Sequence, residues 1–178
     1  MATHLLLLSS YYGLDPRLLL AVVGVESHWH THAVSRVGAQ GLGQLMPATS
    51  GSLNVLAFDA YENLDGTARY LRRLLYRFSR FNEQTRYVRA IASYNAGPGA
   101  VTRAGGVPPF AETRTYVTRV MGLWQRLRTQ LPNGAPAQLA IVRAAPQPSG
   151  LQRWFLRLFG ALRPYTISGH SPTAVNRT

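Results

Sequence analysis

Cysteine and lysine are both absent from the 178 residues of this chain. Without cysteine, disulfides, thiolate metal sites and a cysteine nucleophile are excluded. Without lysine, Schiff-base chemistry and a P-loop lysine are excluded, because all 19 basic side chains are arginine. Acidic side chains number only seven, so the formal net charge is +12. This charge favours a polyanionic partner such as nucleic acid, anionic lipid or an acidic wall polymer, although an arginine-rich composition alone also produces it.

Long apolar runs are also missing, so the sequence predicts no transmembrane helix. Residues 1–8 contain four consecutive leucines but lack a basic n-region and a convincing cleavage site. We therefore expect this segment to form the first helix of the fold, with no visible signal peptide. The protein then stays inside the cell, leaves by a dedicated route, or has lost an upstream signal.

Patterns for metal, nucleotide or serine chemistry are absent as well. His28, His30 and His32 alternate at a spacing of two, so on a helix they do not share a face, and no further ligand completes a site. No Gly-x-Ser-x-Gly elbow occurs, and no strand pattern feeds a glycine-rich loop. We expect neither a metal nor a cofactor.

Helical periodicity dominates residues 1–131, which predicts an all-α domain. Asp15 and Pro16 are typical of a helix start, and this helix is expected to run to about Ser27. Further helices are predicted at about 64–78, 84–94 and 112–130, with a turn-rich stretch at 28–52.

The composition changes after residue 131. Residues 132–150 are rich in Pro, Ala, Gln and Gly, which is typical of a linker. Residues 151–163 combine an apolar stripe with three arginines, which predicts a short basic amphipathic helix. Such a helix fits a membrane surface, a partner's groove or the domain itself. We therefore predict a domain at 1–131 and a linker with a basic tail at 132–178.

Glu26 stands out because it follows Leu19 and Val22 at helical spacing, on the apolar face of its helix. A buried carboxyl is stable only if it is hydrogen-bonded or protonated through a raised pKa. A protonated Glu near neutral pH is what a general acid requires. The alternative is an acid at the helix end whose carboxylate reaches solvent.

Five short segments, in order and spacing, resemble the soluble lytic transglycosylase (SLT) domain, a relative of goose-type lysozyme. They are 26–27 (ES), 33–35 (AVS), 38–47 (GAQGLGQLMP), 93–99 (SYNAGPG) and 112–117 (ETRTYV). Each is weak alone, but the set covers roughly residues 4–128. The resemblance implies a helical, lysozyme-like fold with a glycan-binding cleft, acting on peptidoglycan glycan strands in the periplasm or cell envelope.

The resemblance also implies roles for individual residues. Glu26 matches the family's catalytic acid/base, and the substrate-binding or supporting positions are matched by Ser35, Gln44, Met46, Tyr94, Asn95, Glu112 and Tyr116. Departures from the family pattern are Gly43 for methionine, Ser93 for alanine, and the His28-Trp29-His30 stretch. Because Gly43 removes a side chain from the expected cleft wall, weakened substrate affinity is the expectation.

The number of acids fits a mechanism with one carboxylate. Ordinary glycosidases use two carboxyl groups. Here Asp15 is expected to cap a helix, and Glu83 lies on a polar turn. Three further acids precede a helix, where its dipole favours them: Asp59, Glu62 and Asp65. Glu112 is then the one acid left as a possible second carboxylate beside Glu26. In a lytic transglycosylase, the sugar's own C6 hydroxyl replaces the activated water.

Three other functions are the alternatives. A lysozyme-type muramidase would use the same fold, and a catalytically weak wall-binding component would keep the fold inside a secretion or conjugation apparatus. Separately, the tail is a candidate handle for a secretion, conjugation or phage assembly. A nucleic-acid binder is suggested only by charge and is disfavoured, because no reading helix or aromatic platform is recognisable.

Overall fold

The structure is a computed structural model that describes residues 1–131. In this range the chain forms seven helices and no β-strand; two isolated β-bridges occur within residues 34–45. The predicted all-α class is thereby confirmed. The helices are α1 (Ala2–Tyr12), α2 (Pro16–Ser27), α3 (Pro47–Leu53), α4 (Ala60–Arg77), α5 (Glu83–Ala96), α6 (Pro98–Arg103) and α7 (Ala111–Gln130).

Two short helices and one helix start differ from the predictions. α3 and α6 occupy stretches that were predicted as turns, because their glycines and prolines are typical of breakers; in both, the proline instead lies at the start of the helix, where a missing N–H is harmless. α4 begins at Ala60 rather than near residue 64. Asp59 is its N-cap and accepts hydrogen bonds from the backbone N–H groups of Tyr61 and Glu62, both at 2.9 Å.

α2 is the central helix of the fold. Leu18, Leu19 and Val22 are fully buried, and α2 packs against both α1 and α7. Asp15 caps α2 as predicted, accepting from the Arg17 N–H at 2.9 Å, and it also accepts from the Trp124 indole at 3.0 Å. The start of α2 is therefore tied to the C-terminal half of α7.

α5 and α7 run antiparallel. At one end the rings of Tyr87 and Trp124 lie 4.6 Å apart, and at the other the Thr113 hydroxyl donates to the Asn95 side chain at 2.7 Å. Because Trp124 also contacts the start of α2, the last turn of α2 lies beside the N-terminal half of α7. This arrangement brings Glu26 close to Tyr116.

Within residues 1–131, no helix is long and apolar enough to cross a membrane. The predicted linker and the predicted amphipathic helix at 151–163 lie outside the described residues. The division into 1–131 and 132–178 stays a prediction.

Candidate active site

Glu26 lies in the last turn of α2, at the edge of the core. The helix ends one residue later, because His28 and Trp29 adopt left-handed conformations with φ of 51° and 68°. The Ser27 hydroxyl accepts a hydrogen bond from the Trp29 N–H at 3.1 Å, which stabilises the turn where the chain leaves α2. Glu26 is therefore partly exposed, whereas the helix before it is buried. A carboxyl group placed this way lies in a poorly solvated environment and still has access to the surface.

Burial raises the pKa of Glu26 to about 8. The negative charge of Glu112 adds to this rise, and the hydroxyl of Tyr116 opposes it by favouring the carboxylate. At neutral pH the carboxyl is therefore mostly protonated, which is the state that a general acid needs. This environment disfavours the alternative of a solvated acid at a helix end.

Two buried tyrosines surround the Glu26 carboxyl. The Tyr94 hydroxyl donates to the backbone carbonyl of Gly43 at 2.8 Å, so its proton is already committed. The Tyr116 hydroxyl is buried and, among residues 1–131, makes no hydrogen bond of normal geometry, although it lies close enough to Glu26 to lower its pKa. Tyr116 is thus the hydroxyl with a proton available for the Glu26 carboxylate.

Ser35 and Gln44 stabilise the loop that connects α2 to α3. The Ser35 hydroxyl accepts from the Ala39 N–H at 3.0 Å, which closes a tight turn. The Gln44 amide donates to the carbonyl oxygens of Ala33 at 3.0 Å and Gly41 at 2.9 Å. The side chains of Ser35 and Gln44 thus form hydrogen bonds within the loop. Their predicted contacts with sugar stay predictions.

A buried asparagine on α4 holds this loop in place. Asn63 has no exposed surface; its side chain accepts from the Gly43 N–H at 2.7 Å and donates to the carbonyl oxygens of Gln40 at 3.0 Å and Ala57 at 2.7 Å. These are three of the four hydrogen bonds that an Asn side chain can form. The loop carrying Gly43 is therefore fixed to the core, and with it the carbonyl that Tyr94 contacts.

Gly43 faces α4, which corrects the expectation that its missing side chain leaves a gap in a cleft wall. A Cβ at Gly43 would lie 1.8 Å from the Thr67 hydroxyl oxygen and 2.9 Å from the Thr67 Cβ. Thr67 is fully buried and donates to the Asn63 carbonyl at 2.8 Å. The space next to Gly43 is thus filled by Thr67, and a side chain at position 43 would point into α4.

The other predicted residues lie on both sides of this centre. Asn95 accepts from Thr113 and is 3.5 Å from a carboxylate oxygen of Glu112, so the exposed first turn of α7 is linked to the end of α5. Met46 precedes α3 as its N-cap residue and is 42% exposed. The structure therefore brings Glu26, Tyr94, Tyr116 and Glu112 together and leaves Met46 as an exposed neighbour of the loop.

Four of the remaining acids, Asp15, Asp59, Glu62 and Asp65, have hydrogen bonds or ion pairs elsewhere, and Glu83 is exposed in the first turn of α5. Burial acts to raise the pKa of Asp15, but hydrogen bonds from Arg17 and Trp124 outweigh it, and the pKa is lowered. Glu62 accepts from the Leu56 N–H at 2.7 Å, and Asp65 pairs with Arg69 at 2.7 Å. Only Glu112 acts on the Glu26 pKa, and it does so as an exposed like charge.

Asn63 and Thr67 are site-supporting residues that sequence reasoning missed. The predicted start of α4 near residue 64 left Asn63 outside the helix, and nothing in the sequence tied either residue to the loop. The Asp59 cap was the signal that could have found them. A start at residue 60 places Asn63 and Thr67 four residues apart, on the buried side with Leu71.

An open groove of about 600 Å³ lies away from these residues, between α1, α3 and the first half of α4. His4, Tyr61 and Arg69 are among its lining residues, and no predicted site residue is. In the part of the chain that the structure describes, no three His, Asp or Glu side chains are grouped as metal ligands.

An all-helical domain that holds a carboxyl of raised pKa beside a tyrosine hydroxyl contains a group of the kind that serves as a general acid. The family profile described as the transglycosylase SLT domain matches residues 8–117. The chain therefore belongs to the SLT transglycosylase family, and the resemblance seen in its motifs is confirmed.

Individual relatives agree with the family. A transglycosylase of Enterobacteria phage PRD1 is 39% identical over 114 residues, which cover 64% of this chain and 38% of the relative. The membrane-bound lytic murein transglycosylase F of Desulfosudis oleivorans is 33% identical, over 68% of this chain and 26% of the relative. The chain thus spans well under half the length of these relatives.

Solved structures show the same fold. An inactive mutant of the lytic transglycosylase Slt from Pseudomonas aeruginosa superposes with a TM-score of 0.61 and 28% identity, over 75% of this chain and 25% of that one. The 70 kDa soluble lytic transglycosylase Slt70 of Escherichia coli superposes with a TM-score of 0.54 and 26% identity, over 70% and 24% of the two chains.

Proposed function

We propose that this protein is a peptidoglycan lytic transglycosylase, cleaving the β-1,4 bond between N-acetylmuramic acid and N-acetylglucosamine. The observation that carries the proposal is the Glu26 carboxyl, whose pKa of about 8 keeps it protonated at neutral pH. Membership of the SLT family supports the substrate class. The Tyr116 hydroxyl also supports the proposal. It can donate a hydrogen bond to Glu26 after Glu26 has given up its proton and become a carboxylate.

The reaction proceeds in two proton transfers through Glu26. First, the carboxyl donates its proton to the glycosidic oxygen, the bond from this oxygen to the muramic C1 breaks, and the glucosamine leaves as an alcohol. The new carboxylate is stabilised by the Tyr116 hydroxyl. It then takes the proton of the muramic C6 hydroxyl while O6 bonds to C1, which closes a 1,6-anhydro ring and restores the protonated Glu26. The substrate's N-acetyl group is the candidate intermediate nucleophile.

The mass of the products tests this proposal. Purified sacculi digested by the wild-type chain should release fragments with anhydro ends, each one water lighter than a reducing end. Fragments with reducing ends would instead assign the lysozyme-type alternative. Release of no fragment, together with retention on sacculi, would assign a wall-binding role.

The pH profile reports the Glu26 proton. Because the carboxyl must be protonated to start the reaction, we expect kcat/KM to fall as pH rises through about 8. Tyr116→Phe removes a group that lowers this pKa, so the fall should move to higher pH. Initial rates on solubilised glycan strands between pH 5 and pH 10 measure both, and an alkaline limb near the ordinary glutamate range of about 4.3 would contradict the assignment.

Location and partners belong to the same proposal. The substrate places the protein in the periplasm or cell envelope, and one relative is named as membrane-bound. Another relative is a phage protein, which favours a phage assembly over the secretion and conjugation machines also considered for the tail. We propose residues 132–178 as the handle for such a partner.

A further inference from the structure

The second half of α4 carries a surface of one charge. Between Gly66 and Asn82 the chain has five arginines and no acid. One of them, Arg69, is paired with Asp65. The other four are exposed, and we call them the α4 basic face: Arg72, Arg73, Arg77 and Arg80.

The α4 basic face is uncompensated. Within residues 1–131 the ion pairs between side chains are Arg17–Asp15 and Arg69–Asp65, and neither involves this face. The spacing of four residues places Arg73 and Arg77 on neighbouring turns of α4, so their like charges repel, and Arg80 lies in the turn that follows the end of the helix. A counter-charge from outside would relieve this repulsion.

Aromatic side chains lie among these arginines. Tyr76 is 74% exposed and stands one turn from both Arg72 and Arg73. Arg80 lies over the ring of Phe81 at 5.2 Å, and Arg89 of α5 lies over the same ring at 4.1 Å. The basic surface therefore continues onto α5 and includes an exposed amphipathic ring.

The C-terminal end of the α4 basic face lies away from the residues that contact Tyr94. α4 meets the site at Thr67 and at Tyr70, whose ring lies 5.3 Å from that of Tyr94. Arg77 follows Thr67 by ten residues, which is about 15 Å along the helix. Contact at Arg77 thus leaves the predicted catalytic residues free, whereas Arg73 lies one turn from Tyr70.

Further positive charge follows α7 in the sequence. α5 begins directly after the α4 basic face, and its Tyr87 contacts Trp124 in the second half of α7. α7 ends at Gln130, and residues 132–178 carry five arginines and no acid.

We propose that the α4 basic face binds the anionic headgroups of a lipid bilayer. Arginine pairs with phosphate oxygens through two N–H groups at once, and each basic residue near an anionic membrane adds to its affinity. Exposed tyrosines are favoured at the membrane interface. α4 packs against α1, α3 and α5, so only one side of the helix is available to a partner. A helix flanked in this way can contact a planar surface more readily than it can enter a DNA groove.

Vesicle binding by the full chain tests this proposal. We compare the wild type with R72Q/R73Q/R77Q/R80Q on sedimented vesicles of phosphatidylglycerol and phosphatidylcholine in equal parts. The matched control, R36Q/R103Q/R114Q/R126Q, removes the same charge from exposed positions elsewhere. We expect the first variant to lose about tenfold or more in partition coefficient and the control about twofold.

Each other outcome counts against the proposal. Equal losses in the two variants would show that net charge alone attracts the chain, and equal binding to pure phosphatidylcholine would remove the electrostatic basis. Tighter binding to duplex DNA, lost with the same four arginines, would assign the face to nucleic acid. R77Q/R80Q serves as a milder variant if the fourfold change lowers the thermal midpoint, and it should lose an intermediate amount of binding.

Discussion

Glu26→Gln is expected to abolish release of anhydro fragments from sacculi, with a loss of about 10³-fold or more. The amide cannot give its proton to the glycosidic oxygen, and it cannot take one from the C6 hydroxyl. Because both transfers in the proposed reaction pass through this carboxyl, no other described residue substitutes for it. Fragment release, followed by chromatography and mass analysis, measures the loss.

Stability separates this chemical effect from unfolding. The pKa of Glu26 rises from 4.5 in the unfolded chain to about 8 in the fold, so the folded state holds a proton that the unfolded state releases. Folding stability therefore falls by about 1.4 kcal/mol per pH unit between these two values. Glu26→Gln has no such proton, so its thermal midpoint should exceed that of the wild type at pH 8 and approach it at pH 4.

The matched control is Glu83→Gln, the same replacement at an exposed position in the first turn of α5. Its activity should stay within about twofold, because surface substitutions of this kind have small effects. A Glu26→Gln variant with near wild-type release of fragments would refute the one-carboxylate mechanism. An inactive variant that is also less stable at pH 8 would show instead that Glu26 supports the fold.

Gly43→Met, which restores the residue usual in the family, is expected to destabilise this chain severely. Even the Cβ would overlap the Thr67 hydroxyl oxygen at 1.8 Å, and the rest of the side chain would have to enter the packed α4. Overpacking a core typically costs about 1–3 kcal/mol, and here the clash also displaces the Asn63 hydrogen bonds. We expect about 3 kcal/mol or more, measured by urea unfolding.

Two further variants locate the cause. Gly43→Ala should lose stability for the same reason, and combining it with Thr67→Gly should recover part of the loss, because the opposing atoms are gone. Gly122→Ala is the matched control: this glycine lies on the exposed side of α7 with nothing within 4 Å of an added Cβ, so alanine should be neutral or stabilising. If the double variant is no more stable than Gly43→Ala alone, Thr67 is not the obstacle.

Much of the site was predictable because its signals lie along the sequence. Glu26 stood on an apolar helix face in a chain with few acids, and Tyr94, Asn95, Glu112 and Tyr116 fell in ordered motifs. The structure brings Glu26 together with Tyr94, Glu112 and Tyr116, and it shows Asp15, Asp59, Glu62 and Asp65 in contacts elsewhere. The roles assigned to Ser35, Gln44 and Met46 stay predictions, because their side chains are seen only within or beside the loop.

The direction in which Gly43 faces could not be predicted. It depends on which helix packs against the loop, and the partner lies 24 residues further along, at Thr67. Asn63 was missed because the predicted start of α4 near residue 64 left it outside the helix, and nothing in the sequence linked it to the loop. α3 and α6 were missed because a proline that starts a short helix cannot be told from one in a turn without knowing its tertiary contacts.

The three hydrogen bonds of Asn63 couple the loop beside Glu26 to the buried side of α4. Moving Gly43 away from α4 would leave its backbone amide and the Asn63 side-chain oxygen without their hydrogen bond in a buried position, which costs about 1–3 kcal/mol. Local opening of the loop at Gly43 is therefore expected to cost more free energy than opening of an exposed loop. A glycan strand, the proposed substrate, would meet a preformed surface at this loop.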